Sequence, residues 1–204
     1  MLNLPERTEV SVHLYKKDIL AGFEGSSKQK DIFNSEIQSL YIVNELSLRS
    51  IPVKPGKDID AVFFILVQLK NEVISESTIQ ILFRTIPHNI VLILEEADKT
   101  RLAVKEGKIF MTDWSSSGFD LHIDRISMDD IWTSLVEQIG NFKVQSGRTL
   151  PEQIEIDGEI QTLQAQIAKL EKQKSNTKTP GMKYDLHQQI GKIKEQILKI
   201  TGKT

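Results

Sequence analysis

The 204-residue chain contains no cysteine. That excludes disulfides, thiolate zinc sites and cysteine nucleophiles outright, and the lack of disulfides fits a cytoplasmic setting. Aromatic residues are sparse, at 6%, with only two tryptophans and three tyrosines. No apolar run approaches the length that spans a bilayer, so no membrane contact is expected. The opening Met1-Leu2-Asn3-Leu4-Pro5-Glu6-Arg7 also lacks the basic-then-apolar layout of a signal peptide. Gly22-Phe23-Glu24-Gly25 and Lys105-Glu106-Gly107-Lys108 match no phosphate-binding loop and read as a loop and a hairpin tip. His13, His88, His122 and His187 are scattered, with no i, i+4 pair, so neither a metal nor a cofactor is expected. A serine nucleophile elbow is missing too. No residue pattern announces an enzyme.

What is present is an architecture. The apolar fraction, 39%, is sufficient for a core, and 26% charged residues is ordinary. The last fifty residues carry two apolar ladders, Ile156, Ile160, Leu163, Ile167, Leu170 and Leu186, Ile190, Ile193, Ile197, Ile200. Both step by 4, 3, 4, 3, the spacing that holds one narrow seam on a helix. Ser175-Asn176-Thr177-Lys178-Thr179-Pro180-Gly181 separates them and reads as a linker of about seven residues, a usual length between antiparallel neighbours. Residues 152–168 hold four carboxylates and no basic group, whereas residues 169–204 hold nine lysines against three acids. Antiparallel pairing would set the acidic root beside Lys192, Lys194, Lys199 and Lys203. The expected division is a globular domain over 1–150 and a coiled-coil helical hairpin over 151–204. Five apolar layers are few for a free-standing rod, so the arm should dock, on its own body, on a protein partner or on a second copy in a homodimer.

Along the body, Leu4 to Leu20 reads as an extended lead-in. Ser26 or Ser27 offers an N-cap for a helix running through Leu46, with Ile32, Phe33, Ile37, Leu40, Tyr41, Val43 and Leu46 at helical spacing. Ala61 to Leu69 is nearly continuously apolar, which predicts a central strand covered on both faces. A helix starts near Ser75 and stops at Pro87, and Ile90 to Leu94 forms a second buried strand. Glu106-Gly107 turns a hairpin, and Ser127 caps a helix with Asp129 and Asp130 in its first turn. The expected fold class is α+β, a small mixed sheet covered by helices and followed by the helical hairpin.

Several local clusters are candidates for chemistry. Asp120, His122 and Asp124 would share a face on a strand, a conceivable ligand trio, but a solvated edge strand shows the same pattern and is preferred. Gln68-Leu69-Lys70, with Asp58 and Asp60 upstream, resembles a metal-dependent nuclease layout. Eight residues of strand, however, would separate Asp60 from Gln68 by roughly 26 Å. Thr112-Asp113-Trp114 precedes a serine-rich loop, with Phe110, Thr112 and Trp114 expected on one face. Trp114 could stack a base or a partner side chain, although a tryptophan so placed more often caps a core. Around the arm's turn, Lys169, Lys172, Lys174, Lys178 and Lys183 could track phosphates. No arginine follows Arg148, which weakens a base-reading role.

The order of motifs carries a resemblance. Leu4-Pro5-x-x-Thr8 leads to Tyr15-Lys16-Lys17, then to Phe33 and Ile37, to a strand ending in Leu69-Lys70, to Ile86-Pro87, and through Thr112-Asp113-Trp114 to the paired ladders. Over nearly the whole chain this resembles a bacterial and archaeal family known only as a domain of unknown function (number 4391). Members are typically encoded beside DNA methyltransferases and helicases of restriction and phage-defence clusters. The resemblance implies an accessory role there and supplies no catalytic residues. Tyr41 stands where the family usually has tryptophan, and the turn Thr179-Pro180-Gly181 departs from a Lys/Phe/Asn-rich one.

The expected function is therefore a non-catalytic accessory protein that binds a methyltransferase or helicase through its body and arm. A nucleic-acid-binding module using the basic arm is the alternative, followed by a cryptic metal-dependent nuclease.

Overall fold

The computed structural model describes residues 2–71 and 73–202. The chain divides into two compact units, Met1–Lys143 and Val144–Thr204. It is a mixed α+β protein with a six-stranded sheet and a C-terminal helical part.

After a short 3-10 turn at Glu6–Thr8 come β1 (Glu9–Leu14), α1 (Lys16–Ala21), α2 (Ser27–Glu36), β2 (Ile37–Ser47) and β3 (Ala61–Leu69). Then follow α3 (Glu76–Thr85), β4 (Asn89–Glu96), β5 (Lys99–Glu106), β6 (Lys108–Met111) and α4 (Met128–Gly140). Strand order across the sheet follows sequence order. Among the described residues, β3 and β4 are the parallel pair, joined over the sheet by α3, and the other neighbouring pairs are antiparallel.

β3 is a central strand, and alternation sends its side chains to two cores. Ile65, Val67 and Leu69 join Ile90, Leu92 and Leu94 of β4 beneath Ile19, Phe33, Ile79 and Leu82 of the first three helices. Val62 and Phe64 are buried on the opposite face, where α4 lays down Ile131, Trp132, Leu135, Val136 and Ile139. The Trp132 indole N–H donates to Glu106 at 2.9 Å, satisfying its polar tip. A side chain at Gly140 would come within 2.9 Å of Phe110 and Phe142 ring atoms, so glycine lets α4 end close against β6.

The caps at Ser26, Ser75 and Ser127 form as the sequence indicates, each hydroxyl accepting a backbone N–H three residues on. The helix expected from Ser26 to Leu46 does not run its length. It stops at Glu36, and Ile37, Leu40, Tyr41, Val43 and Leu46 belong to β2. The reason lies in β2's register, which is broken between Ile37 and Ser39 and again between Ile42 and Asn44. Each irregularity inserts a residue into the two-residue alternation. The buried positions Ile37, Leu40, Asn44 and Leu46 therefore fall at spacings that imitate a helix.

The lead-in before Leu20 contains β1 and the short α1 rather than extended chain alone. Asp129 does more than face its helix dipole. Its carboxylate accepts the backbone N–H groups of Lys57, Asp58 and Ile59 at 2.7, 3.2 and 2.9 Å, fixing the loop that feeds β3. Those hydrogen bonds, the Lys57 one foremost, hold its carboxyl below the usual carboxylate range.

In the second unit, α5 (Leu150–Asn176) and α6 (Pro180–Thr201) pack on each other. The connection is shorter than expected, consisting only of Thr177, Lys178 and Thr179. Pro180 is the first residue of α6 rather than a breaker, because a helix's first N–H needs no intrahelical partner.

Candidate functional site

In the helical unit, Arg148 ties the start of α5 to the end of α6. Its guanidinium donates to the Ile200 carbonyl at 3.2 Å and to the Gln153 amide oxygen at 3.3 Å. Gln153 is buried and passes the network on to Asp157 at 2.9 Å. Glu152 accepts the N–H and hydroxyl of Thr149 at 2.8 and 2.9 Å, which holds its carboxyl low. Nearer the turn, Glu171 lies 3.9 Å from Lys194, and both remain more than half exposed, so the pair contributes little. These contacts pair an early residue with a late one, so the helices run back along each other.

Of the ten ladder residues, only Ile190 is fully buried, at 4% exposure. Ile156, Ile160, Leu163, Ile167, Leu170, Leu186, Ile193, Ile197 and Ile200 are half-buried. The ladder residues of both helices are thus incompletely shielded from water. Among the turn lysines, Lys172, Lys178 and Lys183 are exposed, while Lys174 is half-buried with its ammonium 3.4 Å from His187. Lys203 lies outside the described residues.

In the globular unit, Asp113 is exposed, and Trp114 packs against the core that α3 covers. Arg101 stands over the Trp114 ring at 5.5 Å and donates to the Thr112 carbonyl at 3.0 Å. Phe110 and Trp114 do not share a face, since Phe110 meets Phe142 instead. β6 ends at Met111, Thr112 pairs both its N–H and its hydroxyl with the Leu102 backbone, and the chain turns before Trp114.

Asp120, His122 and Asp124 lie in no strand. Asp120 accepts from Asn3 at 2.7 Å, and the backbone of His122 is held by the Gln138 amide at 2.9 Å on both sides. Among the described residues, no group of three or more His, Asp or Glu side chains is placed to hold a metal. β3 runs unbroken from Ala61 to Leu69, which leaves Asp60 and Gln68 at its opposite ends. Lys70 donates to the Asn34 carbonyl and Lys16 to the Ile37 carbonyl, both at 2.9 Å, so the two lysines close the end of α2. Burial first, and then the Lys70 charge, pulls Lys16 below the usual lysine range.

Sequence reasoning misses one assembly, at the carboxyl ends of β3 and β4 on the α4 side of the sheet. There His13 pairs across strands with Tyr41, and Tyr41 with Leu66. The His13 ring lies 4.6 Å from that of Tyr15 and 5.0 Å from that of Tyr41. Lys17 sits 5.4 Å from the Tyr15 ring centre. One row along, the Ser39 hydroxyl donates to the Gln68 amide oxygen, and the Gln68 amide donates to Glu95 at 3.0 Å. A hollow of about 460 Å³ opens beside these rows, floored by Leu66 and Ile93 and bounded by Leu2, Leu4, Val43 and Asn44. Only the Tyr15-Lys16-Lys17 triplet signals this place in the sequence. The remaining residues meet through strand register.

The family model described as "Domain of unknown function (DUF4391)" matches residues 2–197. The chain belongs to this family. The match takes in the globular unit and nearly all of the helical one, so this DUF4391 chain carries sheet and paired helices as parts of one family domain. No curated protein and no solved structure matches it. No helix among the described residues is long and apolar enough to cross a membrane.

Proposed function

We propose that this chain is a non-catalytic accessory protein of a cytoplasmic DNA restriction-modification or phage-defence system. Its helical arm is an antiparallel coiled coil that docks on a methyltransferase or helicase partner, with the globular body adding to the contact. The observation that carries this reading is the pair of ladders: ten apolar residues on two packed helices, of which only Ile190 is fully buried. A partner helix laid along the seam would complete its shielding, since apolar burial is the main drive to association. The lysines around the turn make the tip the basic end of the hairpin, while the root carboxylates face the lysines late in α6, and this sets the direction in which a charge-complementary helix would lie. The setting among DNA-modifying enzymes rests on what the family resemblance implies.

Light scattering on the full chain and on a 1–150 truncation, each mixed with a candidate methyltransferase or helicase, tests the arm. Complex formation by the full chain alone is expected. An unchanged mass and unchanged partner binding in the truncation would rule out the arm as the docking element. A mass of two copies in the full chain alone would make the arm a homodimer element instead.

A second reading, direct DNA contact, draws on the exposure of Lys172, Lys178 and Lys183 around the turn. It requires binding that falls steeply with salt and weakens when these lysines become glutamate.

A further inference from the structure

We infer that the open end of the sheet in the globular unit is a stacking surface for the bases of a single-stranded nucleic acid, independent of the arm. The sequence holds only three tyrosines, and two of them meet His13 here, on β1, β2 and the residue that follows β1. Tyr15 is 56% exposed, one of several large apolar side chains of this unit left in water, with Val12, Leu48 and Ile126. Bases of any identity stack on such rings, because every base has a π-face. Lys17 above Tyr15 supplies a cation at the rim of the cluster, where a phosphate linking stacked bases would run.

The neighbouring row adds hydrogen-bonding groups of fixed orientation. The Ser39 hydroxyl holds the Gln68 amide oxygen, so the Gln68 nitrogen must face Glu95. One amide N–H of Gln68 and one carboxylate oxygen of Glu95 stay free of partners among the described residues. A donor and an acceptor side by side match the edge of a base, and the cross-strand diagonal places Gln68 roughly 7–8 Å from Tyr41, with Glu95 one strand further on. The hollow floored by Leu66 and Ile93 continues the Tyr41 row, and its volume of about 460 Å³ admits a base. Gln68 and Glu95 stand near the carboxyl ends of the parallel pair β3 and β4, where ligands of α/β sheets collect. A protein segment inserting an arginine or an aromatic side chain is the competing occupant. The run of three rings beside both a cation and an edge-reading pair favours nucleotides.

Fluorescence anisotropy of labelled oligothymidylate and oligouridylate on the full chain tests the inference. Saturable binding is expected, and the Tyr15→Ala/Tyr41→Ala pair should weaken it by roughly tenfold or more for each ring removed. The Tyr15→Phe/Tyr41→Phe pair keeps both rings and should bind within about twofold of the parent. Lys172→Glu/Lys174→Glu/Lys178→Glu should leave this binding within about threefold, since it alters only the arm. Failure of the parent to bind either oligonucleotide would overturn the inference, as would loss of binding in the arm variant alone or equal binding by the alanine pair. Thymidine monophosphate competing as strongly as the oligonucleotide would reassign the surface to free nucleotides and end the strand reading. Circular dichroism of the alanine pair guards against unfolding, and photocrosslinking of iodouracil oligonucleotides to the parent locates the contact without any variant. Crosslinks to Tyr15, His13 or Tyr41 support the inference, and crosslinks confined to α5 and α6 overturn it.

Discussion

Replacing Ile190 by alanine should loosen the helical arm far more than the same change at any other ladder position. Ile190 is 4% exposed, whereas Ile160 and Ile167 are half-buried. Removing three buried carbons forfeits about 2.4 kcal/mol of transfer free energy, before any cavity term is added. At a half-buried site about half of that is already lost to water, leaving roughly 1 kcal/mol. Hydrogen exchange followed by mass spectrometry reads the two helices separately from the sheet. For Ile190→Ala, amides of α5 and α6 should exchange about fiftyfold faster, and for Ile160→Ala or Ile167→Ala about fivefold. Exchange in β3 and β4 should not change. Equal effects at all three positions would refute the partial burial of the seam. If a partner docks along the ladders as proposed, the half-buried positions should approach the cost at Ile190 in its presence, because it would exclude their water.

Other consequences are as direct. Asp129→Asn should destabilise the globular unit by about 1–2 kcal/mol at neutral pH, read by urea denaturation, because three backbone N–H groups lose a charged acceptor. The native carboxyl titrates below its unfolded value, so its stabilisation is full above the unfolded pKa and is lost as pH falls through the native one. The gap between parent and variant should hold from about pH 8 to 5 and shrink below about 4. Gly56→Ala should strain the same loop, since a Cβ there would sit 2.4 Å from the Ile59 carbonyl oxygen, and a lowered thermal midpoint would show it. Arg148→Ala should fray the end of α6, seen as faster exchange around Ile200 with the turn near Thr177 unaffected.

The parts of the fold legible in the sequence are those whose side-chain pattern is set by one element alone. β3 and β4 declare themselves as unbroken apolar runs, and α3 and α4 through serine caps and an apolar face. β2 hides because its two register breaks convert alternation into helix-like spacing, an effect that only pairing with β3 produces. The sequence overstates the turn of the arm because Pro180 opens a helix as readily as it breaks one. Arg148 and Gln153, which bind the root of the arm, look like ordinary surface residues until Ile200 is brought back beside them. The aromatic cluster is illegible for the same reason. His13 and Tyr41 stand far apart along the chain, and the pairing of β1 with β2 alone makes them neighbours.

Whether the incompletely buried seam binds a partner from the DNA-modification machinery is decided by affinity purification from the host. The tagged full chain is compared there with an Ile160→Gln/Ile167→Gln form. A methyltransferase or helicase should be retained by the parent chain and lost from the seam variant, with the sheet still folded. Equal retention by both, or recovery of the parent chain without any such enzyme, would contradict the docking role of the arm.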